Sequence, residues 1–502
     1  MKKFILIGVL SFSALTSFSQ KKIEYVEYDL PNGIHVILHE EHATPIVAVS
    51  VLYHVGSKNE KTDRTGFAHF FEHLLFEGSQ NIGRGEYSEI VEKNGGGLNA
   101  NTSQDRTYYY EILPSNQLEL GIWLESERML HAKVEKTGIE TQRSVVKEEK
   151  RQRTDNQPYA SFIPEIFKRM FTTHPYNWVP IGSMEHLDAA QEEDYVNFYR
   201  TFYVPANSTI SIAGDLNIEQ TKQWVNKYFG SIPKGEAINL YRDIENLSDE
   251  AFLAKYKVER SKFDLKNLTA TKDSQAKKVV DTYLAKASII PRPAKSSDAP
   301  KSVIKDTIYD NIQLPAKFIG YRFPEQTHAD FPALEMMNEV LSGGSSSRMN
   351  KQVVEKKQLA NYAFSFAYGL EDGGMGIFAA IAAKDVQLET IQEEIDLQIE
   401  LIKKELISQE EFEKVRNQFE NQIVGSNESI AGICENLADN YVYYGNANRT
   451  NNQLDAYMKV TREDILRVAK KYLSQDARII LDYLPKEAEN NSSQPPVESI
   501  TK

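Results

Sequence analysis

Residues 23 to 238 alternate between two spacings of apolar positions, and the alternation predicts strands and helices in turn. Runs rich in β-branched residues at 34–38 and 46–53 read as strands, and Pro31-Asn32-Gly33 ahead of the first is a turn signal. Helical spacing holds at about 66–76, 84–94 and 115–155. Between the second and third, the Thr- and Tyr-rich residues 98–110 read as strand. Residues 303 to 485 repeat the style, with strands near 304–308 and 376–382 and helices near 330–341, 388–405 and 409–424.

The two stretches also end alike. Glu193-Asp194 opens a helix that runs to Phe202-Tyr203 and is followed by Thr209-Ile210-Ser211-Ile212. About 270 residues later, Glu463-Asp464 opens a helix that runs to Tyr472-Leu473 and is followed by Arg478-Ile479-Ile480-Leu481, an offset that predicts duplication of one unit. The expected fold is α+β: two homologous α/β domains at 23–238 and 303–485, each a mainly antiparallel sheet packed against helices. Residues 239–302 are polar, Lys-rich and end in Pro291, Pro293 and Pro300; they read as a linker with a short helix at 273–287. Residues 486–502 read as a disordered tail.

Composition and charge narrow the setting. At 502 residues the chain is too long for one ordinary core. Its formal charge of −13, with no basic block, argues against a nucleic-acid partner. Lys2 and Lys3, an apolar run from Phe4 to Leu10, and small residues up to Ser17 and Ser19 make residues 1–19 a signal peptide. That run is too short to span a bilayer, and no other segment approaches a spanning length. The reading is an exported protein, periplasmic or secreted, with no integral membrane segment. The single cysteine, Cys434, rules out an internal disulfide.

The chemistry is concentrated at His69-Phe70-Phe71-Glu72-His73. At roughly 100° per residue, Phe67, Phe70, Phe71 and Leu74 share one helix face, and His69, Glu72 and His73 share the other. Two histidines one turn apart can hold one zinc ion, and Glu72 between them lies beside any water held there. Gly78 reads as the residue that ends the helix. His39-Glu40-Glu41-His42 follows a strand and reads as a solvated loop. A catalytic zinc site needs a third protein ligand. In the helix expected to end at about 155, Val145 and Val146 define an inward face. Glu149 lies roughly 10° from their mean direction and Glu148 about 110° away, which favours Glu149. Gly343-Gly344-Ser345-Ser346-Ser347-Arg348 lacks the Gly-Lys-Ser/Thr ending of a phosphate loop, and nucleotide binding is rejected.

With these residues in place, the chain resembles the pitrilysin/insulinase metallopeptidases, whose zinc motif is inverted relative to thermolysin-like enzymes. The resemblance covers nearly the whole mature chain. It includes the spacing from His73 to Glu149, Gly95-Gly96-Gly97-Leu98-Asn99-Ala100-Asn101-Thr102 with Asp105 and Thr107, Trp123-Leu124-Glu125-Ser126-Glu127-Arg128-Met129, and His174-Pro175-Tyr176. It implies a zinc-dependent endopeptidase of unfolded or extended polypeptide, with one zinc per chain on His69, His73 and Glu149 and with Glu72 as base. The strand at Asn99-Ala100 would be the edge that pairs with substrate backbone. The glycine/serine run at 343–348 matches a loop in the second half of these peptidases. Family members that act alone carry an Arg and a Tyr in that half, where this chain has Val354 and Asn361, with Tyr362 next to it. A family acidic position before the zinc glutamate is Gln142. The missing pair implies a sequence-related partner subunit lacking the zinc motif, or a homodimer. The alternative is a non-catalytic peptide-binding or assembly subunit.

Overall fold

The computed structural model describes residues 22–486. The signal-peptide reading of 1–19, and nearly all of the tail reading of 486–502, lie outside the described residues. The first half holds a six-stranded sheet of β1 (Val26–Asp29), β2 (His35–Glu40), β3 (Ile46–Tyr53), β4 (Gly97–Thr102), β5 (Thr107–Pro114) and β6 (Ser208–Gly214), in the order β1-β2-β6-β3-β5-β4. The second holds a five-stranded sheet of β7 (Ile304–Asp310), β8 (Ala316–Phe323), β9 (Ala360–Tyr368), β10 (Gly374–Ala382) and β11 (Ile479–Pro485), in the order β7-β11-β8-β10-β9.

Set side by side, β2-β6-β3-β5-β4 and β7-β11-β8-β10-β9 follow the same path, with β1 as an extra edge strand. In each, the first pair is parallel and the rest are antiparallel. The helices before β6 and β11, Glu192–Phe202 and Arg462–Tyr472, even start in the same way. Asp194 turns back to the Gln191 N–H at 3.0 Å, and Asp464 turns back to the Thr461 N–H at 3.1 Å. Shared topology with shared local detail is what duplication leaves behind.

Each sheet is covered on its second face by a helix from the other half. Ile166, Phe167 and Met170, on the helix Phe162–Met170, pack with Phe318, Ile377 and Leu481 of the second sheet. Ile433, Cys434 and Leu437, on the helix Ile430–Tyr444, pack with Ile37, Ala48 and Ala213 of the first. Central strands are therefore buried on both faces, and β3 reads Ile-Val-Ala-Val-Ser-Val-Leu-Tyr with little polar alternation. The Cys434 thiol donates to the Ser211 carbonyl at 2.8 Å across that junction.

Between the halves, the segment read as a linker is largely folded. Ala237–Asn246, Asp249–Tyr256 and Ser274–Leu284 are helices around Leu240, Ile244, Phe252 and Val280. Arg242 fixes this subdomain to the first half, donating to the Met129 and Tyr203 carbonyls at 2.7 Å each. Its core needs only a few well-spaced apolar residues, which a polar average hides; the longest stretch without regular structure is 287–300. The long helix expected over 115–155 is two, Leu118–His131 and Lys136–Lys150, because Ala132 leaves the helix to bridge Ser79.

A buried ion cluster joins the halves. Lys58 Nζ lies 3.0 Å from Asp105, 2.6 Å from Glu371 and 2.9 Å from Asp372. His54 pairs with Glu371 at 2.6 Å and His174 with Asp372 at 3.5 Å. Tyr176 donates to Asp105 and accepts from the Asp372 N–H, so Asp105, His174 and Tyr176 all serve this junction. Burial pushes the Glu371 carboxyl up, but His54 and Lys58 more than offset it and hold it at about 2. A carboxyl held below its unfolded value contributes stability that is complete above about pH 4.3 and lost as pH falls toward the folded value. Denaturant midpoints should therefore drop between about pH 4.3 and 2. Glu371→Gln should flatten that slope and lower stability at neutral pH by roughly 1–3 kcal/mol. An acid limb unchanged in Glu371→Gln would remove this cluster as its source.

Candidate metal centre

The helix Phe67–Leu74 buries Phe67, Phe70, Phe71 and Leu74, and Tyr195 packs against Phe67 and Phe70 with ring centroids 4.6 Å away in each case. On the other side of the helix His69 is buried and Glu72 and His73 are half-buried. The helix ends at Leu74, earlier than the Gly78 stop expected. Gly78, at φ 130°, instead turns the chain back toward the Ser79 bridge, where a Cβ would sit 2.7 Å from the Ile82 carbonyl.

The structure brings His69, His73 and Glu149 to one point. His69 Nε2 and His73 Nε2 are 3.3 Å apart, and Glu149 Oε2 lies 3.5 Å from the first and 3.0 Å from the second. Among the described residues this is the one cluster whose ligand atoms all fall within 4.8 Å of one another. Zinc–nitrogen and zinc–oxygen bonds of about 2.0–2.1 Å in a tetrahedron imply ligand–ligand edges of about 3.3–3.4 Å. The three separations, 3.0 to 3.5 Å, bracket that edge length. Hydrogen bonds from His69 and then His73 hold the Glu149 carboxyl well below the usual carboxylate range. His69 Nδ1 is buried without a hydrogen-bond partner. Burial pushes the Tyr109 and Tyr203 phenols up, and the nearby Glu72 charge adds to both shifts.

Glu149 shares its face with buried Ile139 and Val146, whereas Val145 is 43% exposed and does not define the inward side. Of the two valines expected to face inward, only Val146 does. Glu148 is exposed and pairs with Arg151 at 3.2 Å. Arg153, absent from the sequence reading, reaches Glu149 Oε1 at 2.7 Å, an i,i+4 spacing that could have flagged it. It stands on a π-helical turn, Arg151–Asp155, that continues the helix Lys136–Lys150. Gln142 donates to Glu77 at 2.6 Å, and Arg84 holds the other Glu77 oxygen at 2.6 Å.

Asn99 and Ala100 lie on β4, the outer strand of the first sheet, and the histidine helix packs across β4 and β5. The Ala100 N–H donates to the Asn99 side chain at 2.8 Å. On the corresponding outer strand β9, Asn361 donates to the Ala382 carbonyl at 3.3 Å and Tyr362 is 58% exposed; Val354 packs against the second core. In the glycine/serine loop, Arg348 is taken up by both oxygens of Glu411 at 2.7 and 2.9 Å, and Lys414 donates to the Gly343 carbonyl at 3.1 Å. The string at 39–42 is not all loop: His39 and Glu40 finish β2, with His39 Nδ1 2.6 Å from the Glu24 carbonyl, and only His42 is well exposed.

Two family descriptions match the chain: "Insulinase (Peptidase family M16)" over residues 35–177 and "Peptidase M16 inactive domain" over 190–419. Among similar proteins, the zinc protease PqqE of Helicobacter pylori is 29% identical over 444 residues, covering 88% of this chain and 89% of PqqE. An uncharacterized zinc protease of Bacillus subtilis, YmxG, is 23% identical over 90% of this chain and 97% of its own. A solved Helicobacter pylori protease superposes with a TM-score of 0.77 at 26% identity, covering 92% of this chain and all of that one. Escherichia coli PqqL, a periplasmic protease, matches at a TM-score of 0.66 and 16% identity over 94% of this chain but 49% of PqqL. The fold, with its paired α/β units, is that of a two-domain M16-type protein. The chain belongs to the pitrilysin/insulinase peptidase family, M16.

Proposed function

We propose that this protein is a zinc-dependent endopeptidase of unfolded peptides and extended polypeptide segments. The observation that carries the reading is the convergence of His69, His73 and Glu149 at tetrahedral spacing, with Glu72 one residue from His73 on the same helix face. The zinc-protease names of the relatives support the choice of metal. A zinc ion there would polarise the scissile carbonyl and ease ionisation of a water. The Glu72 carboxylate takes the water's proton as oxygen adds to the carbonyl carbon, and returns it to the amide nitrogen as the C–N bond breaks. The outer strand β4 at Asn99-Ala100 supplies backbone groups to align an extended substrate, a mode that excludes folded segments. We place the protein outside the cytoplasm, as the residue pattern at 1–19 suggests. Among the described residues no helix is long and apolar enough to cross a membrane.

The chain works with a second one of the same fold. The lack of an Arg–Tyr pair at Val354 and Asn361 motivates this, and the double length of Escherichia coli PqqL is consistent with it. Metal analysis, cleavage of a quenched peptide and native mass should be measured on the purified chain, alone and with a zinc-motif-lacking relative that carries the pair. We expect one zinc per chain, weak cleavage alone and a rise of at least about tenfold on pairing. Robust turnover by a lone monomer removes the partner, and a homodimer with full turnover replaces it with a second copy. Zinc without cleavage in either setting would favour the non-catalytic peptide-binding reading.

A further inference from the structure

The histidine helix is eight residues long, about 12 Å, too short to persist by its own hydrogen bonds. Its first residue follows Gly66, at φ 94°, which has no side chain to cap the exposed N–H groups. Glu60, 7% exposed, does this from outside the helix. Its Oε2 accepts from the Gly66 N–H at 2.9 Å and from Trp178 Nε1 at 2.9 Å, and its Oε1 accepts from the Ala68 N–H at 2.8 Å. The opposite end is held by a cation. Arg128, 2% exposed on the helix Leu118–His131, donates through Nη1 to the Leu75 carbonyl at 3.1 Å. Glu125 pairs with it at 3.1 Å. The rings of Phe76, Tyr87 and Tyr109 lie 4.3, 4.3 and 4.4 Å from its guanidinium carbon. Tyr109 itself donates to the Phe71 carbonyl at 2.8 Å.

We infer that Glu60 and Arg128, with Tyr109, are positioning residues that fix the axial place and rotation of the histidine helix, and so the geometry with which His69 and His73 meet Glu149. The inference rests on the reading of those three residues as metal ligands. A helix this short can slide or fray by a fraction of a turn. Both ends are therefore gripped by side chains that are themselves immobilised, Glu60 by Trp178 and Arg128 by Glu125 and three rings. None of the gripping groups is among the three clustered side chains, and each bonds to backbone at or beside the helix.

Cobalt(II), whose visible absorption reports ligand geometry, is the probe. Glu60→Gln places an amide N–H against N–H donors, Arg128→Lys removes the forked donor, and Tyr109→Phe removes a single hydrogen bond while keeping the ring. Val340→Ala, in the core of the second half, serves as a destabilised control. Cobalt affinity, the visible spectrum and melting temperature should be measured for each full chain. Glu60→Gln and Arg128→Lys should lose about tenfold or more in cobalt affinity and shift the visible bands, and Tyr109→Phe should shift the bands with a smaller loss. Val340→Ala should lower the melting temperature with affinity and bands unchanged. Where Glu60→Gln or Arg128→Lys fails to fold, Tyr109→Phe decides alone. Unchanged bands in Tyr109→Phe, or affinity that merely follows melting temperature across all variants, overturn the inference and leave the ligand assignment standing. Failure of the unmutated chain to bind cobalt overturns the metal site, and this inference with it.

Discussion

Glu72→Gln is expected to retain one zinc per chain and lose roughly 10²–10⁴-fold in kcat/KM, the range a general acid–base group contributes. Glutamine keeps the size and hydrogen-bonding edge of the side chain and removes only its capacity to accept the water's proton. Glu72 stands outside the His69–His73–Glu149 cluster, so the metal should be indifferent to the change. His73→Ala should give the contrasting result: it removes one corner of the proposed three-ligand site, and both metal and hydrolysis should disappear. Metal content by mass spectrometry and quenched-peptide kinetics on the same preparations separate the two. Near-normal turnover in Glu72→Gln would mean that another group takes the proton, and zinc loss in that variant would mean that Glu72 is a ligand.

Glu149→Gln should weaken zinc binding by at least about tenfold to a hundredfold, while Glu148→Gln should change it less than about twofold. The two residues are adjacent in sequence and differ in direction. Glu149 Oε2 is 3.0 Å from His73 Nε2, whereas Glu148 faces solvent beside Arg151 and Gln152. Replacing a carboxylate by an amide removes the charge and most of the basicity that a zinc ligand needs. Chelator competition on the three proteins measures this. Equal losses in both variants, or a loss in Glu148→Gln alone, would break the assignment of the third ligand.

The histidine helix was legible because its information is local: four apolar residues on one face and three polar ones on the other are visible within eight positions. The sheets were legible as strands but not as an order, since pairing β6 between β2 and β3 depends on contacts more than 150 residues apart. The direction of Glu149 is legible from Val146, which is buried, and not from Val145, which is 43% exposed. Glu60 and Arg128 carried no local sign of their task. Glu60 lies six residues before the glycine it caps and looks like a surface residue in sequence. Arg128 falls in the matched run 123–129, which does not reveal the carbonyl it holds 53 residues earlier. The subdomain at 237–284 was hidden by its own composition, in which lysines and acids dilute a small apolar core.

The exchanged covering helices constrain the order in which this polypeptide can mature. Synthesis proceeds from the N-terminus, and the first sheet is complete once β6 has emerged. Its second face must then wait for Cys434, 223 residues beyond the Ser211 carbonyl it meets. Until that helix arrives, Ile37, Ala48 and Ala213 form an uncovered apolar surface on a nascent chain. Contacts of such long range make assembly slow. A truncation before residue 430 should therefore yield an aggregating fragment, not a smaller working unit, although every proposed metal ligand lies within its first 149 residues.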